Sequence, residues 1–133
     1  MCGDFNIEPT TPTYKLLTQG KCSINPWEGS FKTLKTNEGE KPLYEIFGDQ
    51  FYHNIEDLKS SYNTVLGKEP NYTNYTKTYT GCLDYIYYTC SLLEPTLVLD
   101  LPDELELTGF CPNKNYPSDH LSLKTTFVFI ENK

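Results

Sequence analysis

The 133-residue chain contains no arginine, so all 11 of its basic residues are lysines. Against them stand 18 acidic residues, for a formal net charge of −7. A partner held mainly by phosphate neutralisation wants a basic face. Any phosphate chemistry here must therefore draw positive charge from a metal ion or another segment. An acidic surface fits that arrangement, and it is equally an ordinary soluble surface. No apolar run approaches the roughly 18–20 residues that span a bilayer, which excludes a transmembrane helix and any membrane partner that needs one. No Cys-x-x-Cys occurs, and the five cysteines (Cys2, Cys22, Cys82, Cys90, Cys111) are odd in number. That argues against a disulfide framework or a thiolate zinc site, and for buried free thiols in a reducing, intracellular compartment. No targeting segment is read in these residues, so the expected intracellular location is mitochondrial or cytoplasmic. Asn71-Tyr72-Thr73 and Asn74-Tyr75-Thr76 match the glycosylation pattern, but without a signal peptide they read as coincidence.

What is present supports a folded core. The apolar fraction is 38% and the aromatic fraction 14%. A chain of this length suits one domain or part of one, burying roughly 65–70% of its unfolded surface.

The sequence mixes short helices and strands. It opens on a polar turn, Gly3-Asp4-Phe5-Asn6, with no strand before it. Thr13 to Gln19 reads as a helix, with Thr11 as cap, Pro12 at the first position and Gly20 at the exit. Residues 21–42 are polar and broken by Gly29, Gly39, Pro26 and Pro42, and read as a long loop that Trp27 and Phe31 could pin to the core. Asn54 to Leu58 could begin a helix carrying Leu58, Tyr62 and Leu66 on one face. Tyr72 to Tyr79 alternates tyrosine and threonine, as a strand or exposed loop does. Cys82–Thr89, Thr96–Leu99 and Leu121–Ile130 read as strands, the last with Leu121, Leu123, Thr125, Phe127 and Phe129 on one side. Asp100, Asp103, Glu104 and Glu106 read as a solvated acidic face.

Three clusters carry possible chemistry: Gly3-Asp4-Phe5-Asn6, Leu83-Asp84-Tyr85-Ile86 and Ser118-Asp119-His120. Each sets a carboxylate, carboxamide or imidazole beside a strand edge, and the intervening chain is long enough to bring them together. Phosphodiester hydrolysis needs such a set. A carboxylate orients and deprotonates water. An amide, an imidazolium and a divalent metal stabilise charge on the phosphoryl oxygens. A second carboxylate fixes the imidazole's tautomer and charge. Taken singly the clusters have blander readings. Gly-Asp-x-Asn is a common turn, Asp-His often a surface turn, and an aspartate in an aromatic strand can simply bond backbone amides. His53 has no such context and reads as structural or exposed.

In this order, with their flanks, the clusters resemble the C-terminal half of the endonuclease/exonuclease/phosphatase superfamily. The resemblance is to its deadenylase branch, nearest to 2′,5′-phosphodiesterases of mitochondrial type and the carbon catabolite repression deadenylases. It is carried by Cys2-Gly3-Asp4-Phe5-Asn6, Tyr14 to Thr18, the block Glu69 to Ile86, and Pro117-Ser118-Asp119-His120-Leu121. It runs over the whole chain and is weakest in residues 21–66. It implies an α+β fold: the C-terminal half of a four-layer α/β/β/α sandwich with mostly antiparallel strands. Residues 1–133 would form a partial domain whose N-terminal half, with its metal-binding glutamate, is absent.

The same resemblance implies roles. Asp4 would be general acid/base and a metal contact, and Asn6 would hold the scissile phosphate or the metal. Asp84 would orient His120, and Asp119 would support the site. Asn74 and Tyr79 would contact the substrate base. The implied cofactor is Mg²⁺ at an incomplete site, and the implied partner is RNA with adenylate-rich 3′ ends, or 2′,5′-oligoadenylate; no protein partner is indicated. The implied function is that of a fragment of a Mg²⁺-dependent 3′-exoribonuclease or phosphodiesterase, poorly stable or inactive alone. The alternatives are a phosphodiesterase of the same superfamily acting on another substrate, and a truncated, inactive paralogue that only binds.

Overall fold

The computed structural model describes residues 1–23, 33–56 and 58–130. Trp27 and Phe31, expected to pin the early loop, lie outside the described residues. Every strand pairing among the described residues is antiparallel, as the α+β reading expects.

The centre is a three-stranded sheet in the order β1 (Cys2–Asp4), β9 (Asp84–Thr89), β6 (Leu58–Ser60). The chain thus opens on a short strand, not directly on a turn. Backbone bonds in both directions between Met1 and Tyr87 extend its pairing with β9. β9 is the strand expected at Cys82–Thr89, starting two residues later. Its β-branched and aromatic run, Tyr85 to Thr89, suits a strand buried on both faces. β1 lies at the sheet edge and its residues are exposed.

Helix α1 (Pro12–Gln19) forms where the sequence places it. The Thr11 hydroxyl accepts from the Tyr14 amide at 3.3 Å, Pro12 fills the first turn, and Gly20 closes the helix at φ 75°. Tyr14 and Leu17 pack on Tyr85, Tyr87, Leu58 and Cys82 to form one core cluster. A second gathers Tyr75, Leu107, Cys111 and Leu121. Cys82 and Cys111 are therefore buried thiols, whereas Cys2 is exposed and Cys22 and Cys90 are half-buried. This core is rich in tyrosine, whose buried hydroxyls need internal partners, and all but that of Tyr87 among those named here have one. Tyr85 donates to the carbonyls of Ile7 and Cys82, Tyr62 to Leu99, Tyr72 to Pro102, and Tyr14 to the Glu69 carboxylate.

Three local expectations need correction. Residues 21–42 are not all loop. β2 (Lys21–Ser23) pairs with β5 (Gln50–Tyr52), and β3 (Thr33–Thr36) with β4 (Gly39–Pro42). The Thr36 hydroxyl bonds Gly39 and Glu38 across that hairpin turn, with Gly39 at φ 111°. A short helix α2 (Leu43–Phe47) follows. Leu58 does not lie on a helix: it is in β6, and α3 (Ser61–Leu66) starts after it. Leu58 and Tyr62 are buried from two different elements, while Leu66 is exposed. The last strand, β11, covers only Thr125–Phe129; residues 121–124 are irregular, although Leu121, Leu123, Thr125 and Phe127 still alternate inward.

β11 pairs with β10 (Leu93–Val98), with a bulge between Pro95 and Leu97. Asp103 and Glu106 are solvent-exposed, as read, but they also form a reciprocal capping box on α4 (Glu104–Leu107). β7 (Asn74–Tyr75) and β8 (Thr80–Gly81) form a hairpin within the Tyr72–Gly81 block. His53 is structural: its Nε2 lies 3.1 Å from the Leu17 carbonyl and its Nδ1 accepts from the Ile55 amide.

Candidate active site

The sheet register sets the site. Asp4 at the end of β1 lies directly opposite Asp84 at the start of β9. Directly opposed residues in an antiparallel pair hold their Cβ atoms about 4.5–5.5 Å apart, so two strands separated by 80 residues of chain present two carboxylates side by side. The chain leaves β1 in a tight turn. Asn6 sits at φ 52°, its amide N–H donates to Asp4 Oδ1 at 2.8 Å, and its Nδ2 donates to Oδ2 at 3.3 Å. Asparagine tolerates this left-handed conformation better than most residues.

His120 arrives from the far end of the chain. A β-bridge joins Asn74 to His120, with the Tyr75 amide donating to the Asp119 carbonyl and the Leu121 amide to the Thr73 carbonyl. This edge pairing sets the imidazole between the two carboxylates. Nδ1 lies 2.8 Å from Asp84 Oδ2, and Nε2 lies 4.0 Å from Asp4 Oδ2. The hydrogen bond to Asp84 raises the imidazole above its ordinary pKa against the opposing effect of burial, helped by the charges of Asp84, Asp119 and Asp4.

Asp119 and Asn74 are brought to the same edge, with the Asn74 amide donating to Asp119 Oδ2 at 3.4 Å. Asn74 is only 5% exposed. Tyr79 stands at the hairpin tip. Its ring is partly exposed and its hydroxyl donates to Glu8 Oε1 at 2.8 Å. Partial burial, then the Glu8 carboxylate, push that phenol up to about 12. The ring also lies over Gly81, where an added Cβ would come within 2.5 Å of the Tyr79 hydroxyl.

All the residues singled out in the sequence thus reach one region. Asp4 with Asn6 and Asp84 with His120 form two hydrogen-bonded pairs that face each other across 4.0 Å, Asp119 and Asn74 flank them, and Tyr79 lies beyond Gly81. Sequence reasoning gave no role to Thr73, whose buried hydroxyl donates to Asp84 Oδ2 at 2.6 Å. Its only signal is its place immediately before Asn74.

The metal question can be put to the same atoms. Among the described residues, no group of three or more His, Cys, Asp or Glu side chains is placed to hold a metal ion. A hard cation such as Mg²⁺ takes about six oxygen ligands, several of them commonly water or phosphate. Asp4 and Asn6 offer one carboxylate and one amide oxygen, which fits one corner of such a site.

Residues 1–120 match the sequence profile of the Endonuclease/Exonuclease/phosphatase family. The chain belongs to this family. Among its relatives is the CCR4-Not complex 3′-5′-exoribonuclease subunit Ccr4 of Aspergillus oryzae, 34% identical over 131 residues, which cover 96% of this chain and 16% of that protein. The Ccr4 subunit of Saccharomyces cerevisiae is 31% identical over 134 residues, covering 98% of the chain and 14% of the relative. The 2′,5′-phosphodiesterase 12 of Bos taurus is 33% identical over 124 residues, covering 92% and 18%. The chain therefore spans under a fifth of the length of each of these three relatives. A crystal structure of ANGEL2, a 2′,3′-cyclic phosphatase, in complex with adenosine-2′,3′-vanadate superposes with a TM-score of 0.69 at 25% identity. The match covers 96% of this chain and 43% of that one. The fold is accordingly a fragment of the endonuclease/exonuclease/phosphatase fold, with mostly antiparallel strands and few helices.

Proposed function

We propose that this chain carries part of the active site of a Mg²⁺-dependent 3′-exoribonuclease or phosphodiesterase that removes adenylate from poly(A) or 2′,5′-oligoadenylate. The observation that carries the reading is the placement of one imidazole between two carboxylates from opposed strands. The names of the relatives, an exoribonuclease subunit and a 2′,5′-phosphodiesterase, support it.

Asp84 accepts from Nδ1 of His120 and so leaves Nε2 for the substrate. The 4.0 Å separating Nε2 from Asp4 Oδ2 leaves them without a close direct bond, so each is available to water or a phosphoryl oxygen. Asp4 orients the attacking water and takes its proton. Protonated His120 donates from Nε2 to an oxygen gathering charge. Asn6 holds the phosphate through its amide, Asp119 supports the edge, and Asn74 and Tyr79 form the base-facing side, where the Tyr79 ring offers a stacking surface. Mg²⁺, with Asp4 and Asn6 among its contacts, would supply the positive charge that a chain without arginine lacks.

The test is incubation of a full-length version, carrying the remainder of the family's fold along with this chain, with Mg²⁺ and, separately, poly(A) and 2′,5′-oligoadenylate, with Asp4→Ala alongside. Adenylate release that Asp4→Ala abolishes supports the reading. No hydrolysis, or equal rates from both proteins, overturns it. The likeness to ANGEL2 favours one further arm, an RNA ending in a 2′,3′-cyclic phosphate. Turnover of that substrate alone would assign the site to a cyclic phosphatase.

A further inference from the structure

Thr73 is fully buried, and every hydrogen-bonding group it owns is engaged. Its amide donates to the Gly81 carbonyl at 2.9 Å, and its carbonyl accepts from the Leu121 amide at 2.7 Å. Its hydroxyl accepts from the Leu83 amide at 2.9 Å and the Asp84 amide at 3.0 Å. A hydroxyl has two acceptor lone pairs and one proton. Both lone pairs are occupied by backbone N–H groups that cannot turn away. The proton therefore has one direction left, toward Asp84 Oδ2 at 2.6 Å. That oxygen is also the one that faces His120 Nδ1 at 2.8 Å.

We propose that Thr73 is a positioning residue: its hydroxyl fixes the rotation of the Asp84 carboxylate, and through it the tautomer of His120. A carboxylate has a soft terminal torsion, so the strand backbone alone does not keep an oxygen aimed at the imidazole. Thr73 holds that torsion. With Oδ2 held, Nδ1 must carry a proton to bond it, and Nε2 is left toward Asp4. The same residue ties the two halves of the site together, because its backbone bonds both the β8 strand at Gly81 and the His120 segment at Leu121. The inference rests on the phosphodiesterase reading above for its catalytic consequence, though not for its geometry.

The experiment compares the full chain with Thr73→Val and Thr73→Ser. Valine keeps the branched shape and removes the bonds, while serine keeps the bonds and removes a methyl group. The first readout is the ¹⁵N shifts of the imidazole nitrogens at about pH 9, where histidine is neutral. The chain has two histidines, and His53, bonded elsewhere, is the internal reference. The unaltered chain and Thr73→Ser should show His120 protonated at Nδ1. Thr73→Val should show a mixture of tautomers, with His53 unmoved. The second readout is turnover by a full-length version that carries this chain: kcat should fall roughly 10–100-fold in Thr73→Val, the scale seen when a supporting partner is lost. KM should stay within about two-fold, and Thr73→Ser should restore the rate, because Thr73 touches no substrate. If Thr73→Val does not fold, Thr73→Cys keeps the size with a weak donor, and the tautomer shift should be intermediate. A folded Thr73→Val or Thr73→Cys protein with an unchanged His120 pattern overturns the inference. A shifted tautomer here, with no substrate hydrolysed by a full-length version that carries this chain, upholds the positioning and sinks the phosphodiesterase reading instead.

Discussion

Replacing Tyr85 by phenylalanine removes one oxygen atom and leaves the ring. Tyr85 is 1% exposed, and its ring packs between Tyr14 and Tyr87 at centroid distances of 5.6 and 5.2 Å. Those contacts survive the substitution. What is lost is the hydroxyl's shared bond to the Ile7 carbonyl at 2.8 Å and the Cys82 carbonyl at 2.9 Å. A net hydrogen bond contributes about 1 kcal/mol, and a buried acceptor left dry adds to the loss, so the expected cost is about 1–2 kcal/mol. For a domain of this size that corresponds to a fall in Tm of roughly 3–8 °C. The assay is urea unfolding followed by tryptophan fluorescence or circular dichroism, with an unchanged m-value required. The effect should also be local. Ile7 follows the Asp4–Asn6 turn, so amide exchange of residues 5–8 should quicken more than that of α1. A Tyr85→Phe protein as stable as the original, or one that loses more than about 4 kcal/mol, would refute the reasoning. The first result would mean the hydroxyl is not bonded, and the second that the ring had moved.

Three other outcomes follow from the same structure. Burial raises Glu69 above its ordinary range, although the Tyr14 hydroxyl bonded at 2.6 Å opposes this. A raised folded-state value stabilises below the unfolded pKa and is lost as pH rises through the folded value. Glu69→Gln keeps an acceptor for Tyr14 and removes the buried charge, so unfolding measured at pH 4, 5.5 and 7 should show a flatter profile and relative gain at pH 7. Thr11→Ala removes the α1 cap and should cost about 1 kcal/mol, read by thermal melting. Tyr79→Phe breaks only a largely exposed bond to Glu8 and should change stability by less than about 0.5 kcal/mol, whereas Tyr79→Ala should raise KM for oligoadenylate more than Tyr79→Phe does.

The parts of the fold legible in the sequence are those whose signals are local and redundant. Thr11, Pro12 and Gly20 mark α1 at both ends, and β9 is an unbroken aromatic and β-branched run. The site was legible for another reason: Asp4, Asp84 and His120 each sit in a motif with recognisable flanks. The misread regions lack either property. β2 to β5 are three- and four-residue strands with polar residues on both sides, too short for a period to show. At Leu58 the pattern of Leu58, Tyr62 and Leu66 imitates a helix face, but Leu58 is drawn into β6 by pairing with Thr89, a contact 31 residues away in sequence. Thr73 was invisible because its role lies in three side-chain bonds to Leu83 and Asp84, which no local rule anticipates.

The central claim is that Asp84 and His120 act as one unit beside Asp4. A double-mutant cycle on adenylate release tests it most directly, using Asp84→Asn, His120→Ala and the two together. Residues that act as a unit are strongly non-additive. The double variant should be no slower than the slower single variant. Rate losses that simply multiply would contradict the account, because they would mean that the carboxylate and the imidazole contribute independently.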